Sequence, residues 1–129
     1  MNQKELSLNK SQKEAVNTVN GNLLIIASAG TGKTTTIVER YVNFVKNCKL
    51  NPDEIMMTTF TNKTAKDMLE KISKQTAKIP KHIGTMHSLF LKILRDNYKE
   101  AGIRQNFTLL TEDNDKKKII RETITKLGL

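Results

Sequence analysis

The chain has no tryptophan, one cysteine, two prolines and six glycines in 129 residues. A lone thiol, Cys48, cannot close an internal disulfide, so burial and hydrogen bonding must hold the fold, and a reducing, cytoplasmic setting is expected. So little proline and glycine excludes collagen-like and linker-like chains. The longest unbroken apolar run, residues 23–27, is five residues. A membrane-spanning helix needs about 20, so no membrane role is expected. Residues 1–10 hold no apolar stretch, and no secretory signal is expected there. Hydrophobic residues make up 37% of the chain, lean for a globular core but too many for a disordered one. There is no internal repeat, and the longest biased stretch is Lys116-Lys117-Lys118, read as a solvated face.

What is abundant is positive charge. Lys plus Arg number 22 against 13 acids, a net charge of +9. Such a balance favours an acidic polymer as partner. Between Phe60 and His82 stand six lysines and two acids, a local +4. Only Arg40, Arg95, Arg104 and Arg121 are arginines. A lysine-dominated surface suits point contacts to phosphate rather than forked reading of bases.

Hydrophobic spacing orders the chain as alternating helices and strands. Residues 9–19 read as a short helix with Ala15, Val16 and Val19 on one face, and Asn9 with Gln12 has capping-box spacing. Residues 23–27 read as a buried strand of a parallel sheet. A helix follows from Thr34, carrying Ile37, Val38, Tyr41, Val42 and Val45, with Asn51-Pro52 as its breaker. Residues 55–59 form a second strand, 62–74 an amphipathic helix, and 82–85 a short third strand in which His82 is structural. Met86, Leu89, Phe90, Ile93 and Leu94 mark another helix that stops near Gly102. Residues 107–110 read as extended, and a last helix from Glu112 turns Ile120, Thr123, Ile124 and Leu127 inward. This alternation predicts an α/β fold with a parallel sheet of about three strands.

Ala27-Ser28-Ala29-Gly30-Thr31-Gly32-Lys33-Thr34 has the G-x-x-x-x-G-K-[ST] spacing, with Ala27 in the first glycine position. Small residues let backbone N–H groups close around phosphate oxygens, the lysine brings charge to the β- and γ-phosphates, and the Thr34 hydroxyl is a Mg²⁺ ligand. An apolar run before the loop and an amphipathic helix after it supply the required context. ATP or GTP with Mg²⁺ is the expected ligand. The loop alone does not choose among kinases, GTPases, transporters and motors.

Four stretches in order resemble the UvrD/PcrA/Rep-like group of superfamily 1 DNA helicases. Leu8-Asn9-Lys10-Ser11-Gln12-Lys13-Glu14-Ala15-Val16 resembles its Q motif and Ala27 to Thr34 its motif I. Residues 59–68, Thr-Phe-Thr-Asn-Lys-Thr-Ala-Lys-Asp-Met, resemble motif Ia, and Gly84-Thr85-Met86-His87-Ser88 resembles motif Ib. Residues 107–113 are similar to the segment that enters the family's inserted helical subdomain. The resemblance implies a P-loop NTPase (RecA-like) fold, with residues 1–110 the N-terminal part of ATP-binding domain 1A and 111–129 the helix into that subdomain. It implies ATP and Mg²⁺ as cofactors, held by Gln12, Ser28, Ala29, Gly30, Thr31, Gly32, Lys33, Thr34 and Thr35. Lys33 and Thr34 are then the catalytic pair and Gln12 meets the adenine edge. Single-stranded DNA is met by Phe60, Thr61, Asn62, Lys63, Thr85 and His87. The family's members are DNA-repair motors, so 3′→5′ translocation and duplex unwinding are implied. Thr35 stands where the family often has Arg, and Met86 where it has an aromatic.

Other uses of these side chains compete. Gln12 suits a helix-capping position, Phe60 a core position, Thr61 and Asn62 an N-cap, and His87 an ordinary helix start. Hydrolysis in this family also needs an acidic pair at a strand end and arginines from a second domain. Asp53-Glu54 precedes a strand, and Glu112-Asp113 looks like the acidic first turn of a helix. The expectation is therefore an N-terminal helicase fragment, inactive alone, whose partners include the remaining helicase domains. A short non-catalytic protein that holds ATP and DNA is the alternative. A small nucleotide kinase fits less well, because four scattered arginines supply no lid.

Overall fold

In the computed structural model, the structure describes residues 8–28, 30–110 and 112–128. The chain forms two compact units, Met1–Leu91 and Lys92–Leu129.

The first unit begins with α1 (Lys10–Asn17), whose expected capping box is present: Gln12 N–H donates to Asn9 Oδ1 and Asn9 N–H to Gln12 Oε1, both at 2.9 Å. Next come α2 (Lys33–Lys46), a 3₁₀ turn (Pro52–Glu54), β1 (Met56–Thr59), α3 (Asn62–Ser73), β2 (His82–Thr85) and α4 (Met86–Asp96). β1 and β2 pair in parallel, with Met56 opposite His82 and Thr59 opposite Thr85. The core lies where two helices cover one face of this pair. α2 contributes Val38, Tyr41, Val42 and Val45, β1 contributes Met57, and α3 contributes Met68 and Ile72. These positions follow the helical spacing of the sequence, which gives each helix one apolar stripe.

Three expectations need correction. The sheet among the described residues has two strands, not three. Residues 22–28 belong to no strand, and Leu24 and Ile26 are 82% and 87% exposed. A strand exists through its neighbours' hydrogen bonds, and β1 and β2 pair only with each other, so the apolar run gains neither a ladder nor a cover. Second, α4 ends at Asp96, and the chain continues as turns to Gly102, where φ is +65°. The Asn97 side chain donates to the Ile93 carbonyl at 2.8 Å, a local bond that competes with continued helix. Third, α5 (Asp113–Leu127) in the second unit has no buried residue, so Ile120, Thr123, Ile124 and Leu127 stay exposed rather than facing inward. A unit this short has too little apolar surface to cover such a stripe.

Tyr41 ties the core to the loop before β2. It is 2% exposed, and its hydroxyl donates to the Lys78 carbonyl at 2.8 Å. Burial, aided by the charge of Asp53, raises its pKa above the ordinary 10.0. The folded state therefore favours the neutral phenol. That contribution is complete below about pH 10 and is lost as pH rises through the raised value. Tyr41→Phe should cost about 1 kcal/mol near neutrality and flatten the alkaline fall in stability. Urea denaturation of both proteins at about pH 7 and about pH 11 checks this.

Candidate nucleotide and nucleic-acid sites

Of the context expected for the loop, the helix that follows it is present and the strand before it is not. Gly30 and Gly32 have φ of +77° and +85°, values that side-chain-bearing residues resist. Gly32 is the N-cap of α2, and no side chain caps it. The N–H groups of the first turn of α2 therefore face outward with the helix's partial positive charge, which is an anion-binding arrangement. The Lys33 ammonium sits back on the loop, donating to the carbonyls of Ala27 at 2.7 Å and Ser28 at 2.6 Å. Thr31 Oγ1 also donates to the Ser28 carbonyl, at 2.7 Å. Thr34 and Thr35 are half-buried in that first turn. Ala29, expected to contribute a backbone N–H, lies outside the described residues. The chemistry fits a nucleotide triphosphate with Mg²⁺: N–H donors, a lysine ammonium and a hydroxyl, with no carboxylate in the first turn of α2 to repel phosphate.

Gln12 takes on the capping role and a second contact together. Its Nε2 donates to the Thr31 carbonyl at 3.1 Å, joining α1 to the loop across 19 residues of sequence. A Cβ at position 32 would stand 3.0 Å from that Nε2, so a side chain there would press on the Gln12 amide as well as resist the positive φ. Arg40, about two helix turns into α2, lies 4.8 Å from the Phe44 ring centroid and donates to the Ala15 carbonyl. Sequence reasoning missed two residues here. Asn43 Nδ2 donates to the Val16 carbonyl at 3.0 Å, and buried Thr36 donates its hydroxyl to the Gly32 carbonyl at 3.1 Å. The Thr36 bond is the ordinary i−4 pattern of a helical threonine and was open to sequence inspection; the Asn43 contact is tertiary and was not.

The second group gathers at the C-terminal ends of the two strands. Because Thr59 stands opposite Thr85, the segments 60–63 and 85–87 leave the sheet side by side. Phe60 is 97% exposed, which removes it from the core. Thr61 is the N-cap of α3, accepting from Thr64 N–H at 3.1 Å, so its capping role is real; Asn62 and Lys63 open the helix and are exposed. Thr85 Oγ1 accepts from Ser88 N–H at 3.2 Å, and His87 is exposed on the first turn of α4. A Cβ at Gly84 would lie 2.6 Å from Ser88 Oγ, so a side chain there would displace that hydroxyl from its bond to the Thr85 carbonyl. Among the described residues, no group of His, Cys, Asp and Glu could hold a metal ion. No described helix is long and apolar enough to cross a membrane.

The family described as UvrD/REP helicase N-terminal domain matches residues 8–128. The chain is 42% identical over 111 residues to the ATP-dependent DNA helicase Rep of Buchnera aphidicola, covering 83% of this chain and 17% of that protein. It is 37% identical over 120 residues to a probable DNA helicase II homolog of Rickettsia felis, covering 92% and 18%. With the ATP-dependent DNA helicase PcrA of Staphylococcus aureus it shares 35% over 119 residues, covering 91% and 16%. The chain thus spans about a sixth of the length of these relatives.

The exposure of Phe60 has a direct consequence for stability. Removing a solvated side chain leaves no cavity, so Phe60→Ala should change unfolding free energy by less than about 0.5 kcal/mol. A buried phenylalanine would cost roughly 3–5 kcal/mol. Thermal melting of the two proteins distinguishes these outcomes.

Proposed function

Since the chain belongs to the UvrD/REP helicase N-terminal domain family, we propose that it is the nucleotide- and single-strand-binding front of the first motor domain of an ATP-dependent DNA helicase, moving 3′→5′. The observation that carries the DNA half is Phe60: a fully exposed aromatic, fixed between β1 and the capped start of α3, beside the end of β2. An aromatic so placed offers a stacking face to an unpaired base, and stacking of that kind contributes roughly 1–3 kcal/mol. Thr61, Asn62, Lys63, Thr85 and His87 surround it with donors suited to the phosphate backbone.

For the nucleotide, the N–H groups of residues 28–32 and the first turn of α2 cradle the phosphates. Lys33 releases the Ala27 and Ser28 carbonyls to meet the β- and γ-oxygens. Thr35 adds a donor beside them. Thr34 holds Mg²⁺, which when bound neutralises charge on the transferred phosphoryl group. Gln12 keeps one free lone pair and one free N–H beyond its two internal bonds, the acceptor–donor pair that matches adenine and not guanine.

Among the described residues, no carboxylate closely follows either strand: β1 leads into Phe60-Thr61-Asn62 and β2 into Met86-His87-Ser88. A water-orienting acid and transition-state arginines must therefore come from elsewhere in a complete motor. The 129-residue chain alone should show no steady ATP turnover, with or without DNA. DNA-stimulated turnover abolished by Lys33→Ala would overturn that.

Binding to single-stranded oligonucleotides should be sequence-tolerant and should weaken steeply with salt. Lys63→Ala should make the salt slope shallower by about one phosphate contact, whereas Phe60→Ala should weaken binding roughly five- to a hundredfold at every salt concentration. Fluorescence anisotropy over a salt series measures both. Unchanged affinity for Phe60→Ala would remove the reading.

A further inference from the structure

Both ends of α1 are fixed, and by different means. At its C-terminal end, Arg40 and Asn43 of α2 hold the carbonyls of Ala15 and Val16, whose side chains are buried. At its N-terminal end, Gln12 holds the loop that begins α2. Loop, α2 and α1 therefore form a closed ring, and the side chain of Gln12 is the link that closes it.

That link has only one sensible orientation. Asn9 N–H is a donor and demands the amide oxygen; the Thr31 carbonyl is an acceptor and demands the amide nitrogen. Turning the amide over would set donor against donor at Asn9 N–H and acceptor against acceptor at the Thr31 carbonyl. What fixes the start of the helix, and with it the reach of Gln12, is the return bond from Gln12 N–H to Asn9 Oδ1.

We propose that Asn9 is a positioning residue of the nucleotide site: through the capping box it holds Gln12, and Gln12 holds the phosphate loop at the Thr31 carbonyl. Among the described residues Asn9 makes hydrogen bonds to Gln12 and none to the loop, so its effect passes through one side chain. The loop half of the proposal stands on geometry alone, and its specificity half rests on the adenine reading of Gln12 above. With the amide locked, its remaining acceptor and donor keep fixed places, so loss of Asn9 should blur the choice between ATP and GTP as well as loosen the loop.

Three variants of the full 129-residue chain separate capping from positioning. Asn9→Ala removes the cap acceptor. Asn9→Asp keeps it. Gln12→Glu keeps an acceptor for Asn9 N–H but loses the donor to Thr31. The readout is the Thr31 carbonyl carbon and Gly32 amide nitrogen resonances, which report a hydrogen bond to that carbonyl, alongside the amide resonances of residues 10–13. Asn9→Ala and Gln12→Glu should both shift the Thr31 and Gly32 signals, and Asn9→Asp should restore them. Gln12→Glu should do so with residues 10–13 still capped.

If Asn9→Ala disturbs residues 10–13 while Thr31 and Gly32 stay put, Asn9 only caps a helix and the proposal fails. Should Asn9→Ala not fold, Gln12→Glu decides: an unmoved Thr31 carbonyl means the link does not hold the loop. Calorimetry with ATP and GTP adds the specificity arm, in which Asn9→Ala should lower the ATP preference roughly two- to tenfold. If the unaltered chain shows no preference, the adenine reading fails, and the resonances still decide whether Asn9 positions the loop.

Discussion

The loop between α1 and α2 depends on one constraint: α1 is braced across α2. A phosphate loop is a poor structure in isolation, with two left-handed glycines and a turn of unpaired N–H groups. Its conformational entropy is large, and within its own short sequence the bonds from Thr31 and Lys33 to the Ala27 and Ser28 carbonyls offset part of that cost. The bracing does so from outside. Buried Ala15 and Val16 fix α1 against α2, Arg40 and Asn43 satisfy carbonyls at its end, and Gln12 then reaches the loop from a rigid support. The same helix that carries the loop on its N-terminus carries the brace on its flank, so the two cannot drift apart without unpacking the helix pair.

The sheet supplies the second constraint. Parallel strands need a crossover, here α3, which returns the chain so that β1 and β2 end at the same edge. Register then decides which residues emerge together. With Thr59 opposite Thr85, two consecutive polar strand-to-helix junctions lie next to each other, each capped by a threonine hydroxyl. The capping of Thr61 and Thr85 does not compete with a phosphate-binding role for their neighbours. It sets the helix starts whose remaining N–H groups stay available.

Local features were the legible ones. The capping box at Asn9 and Gln12, the loop glycines, the helical stripes of α2 and α3 and the starts of both strands follow from spacing over a few residues, and all are present. What spacing could not tell is which apolar segment finds a partner. The run at residues 23–27 has the composition of a central strand, but a ladder is a relation between segments, and the strands present pair elsewhere. The same holds for α5, whose periodicity is sound and whose apolar face is nonetheless exposed. Gln12 shows the opposite limit. Its sequence position suggested two rival roles, whereas an amide with two donors and two acceptor sites serves the cap and the loop together and keeps one of each in hand.

Leu24 with Ile26 on one side and Phe60 on the other are exposed in different ways, and the distinction matters more than exposure itself, since single solvated apolar residues are common. Leu24 and Ile26 lie in an irregular segment whose alternate residues are all partly or largely open, the pattern of strand-forming sequence without its neighbours. Phe60 is isolated among polar and cationic residues, and the backbone on either side of it is fixed by β1 and by the Thr61 cap. Core formation does not require it, since Met57, Met68 and Ile72 already fill the contact between strand and helix. An exposed ring carried on backbone fixed by a strand and a capped helix has met the backbone part of the ordering cost before binding, and only its side-chain torsions remain to be ordered. That preorganisation, rather than apolar area, is the physical property that suits Phe60 to the stacking role proposed for it.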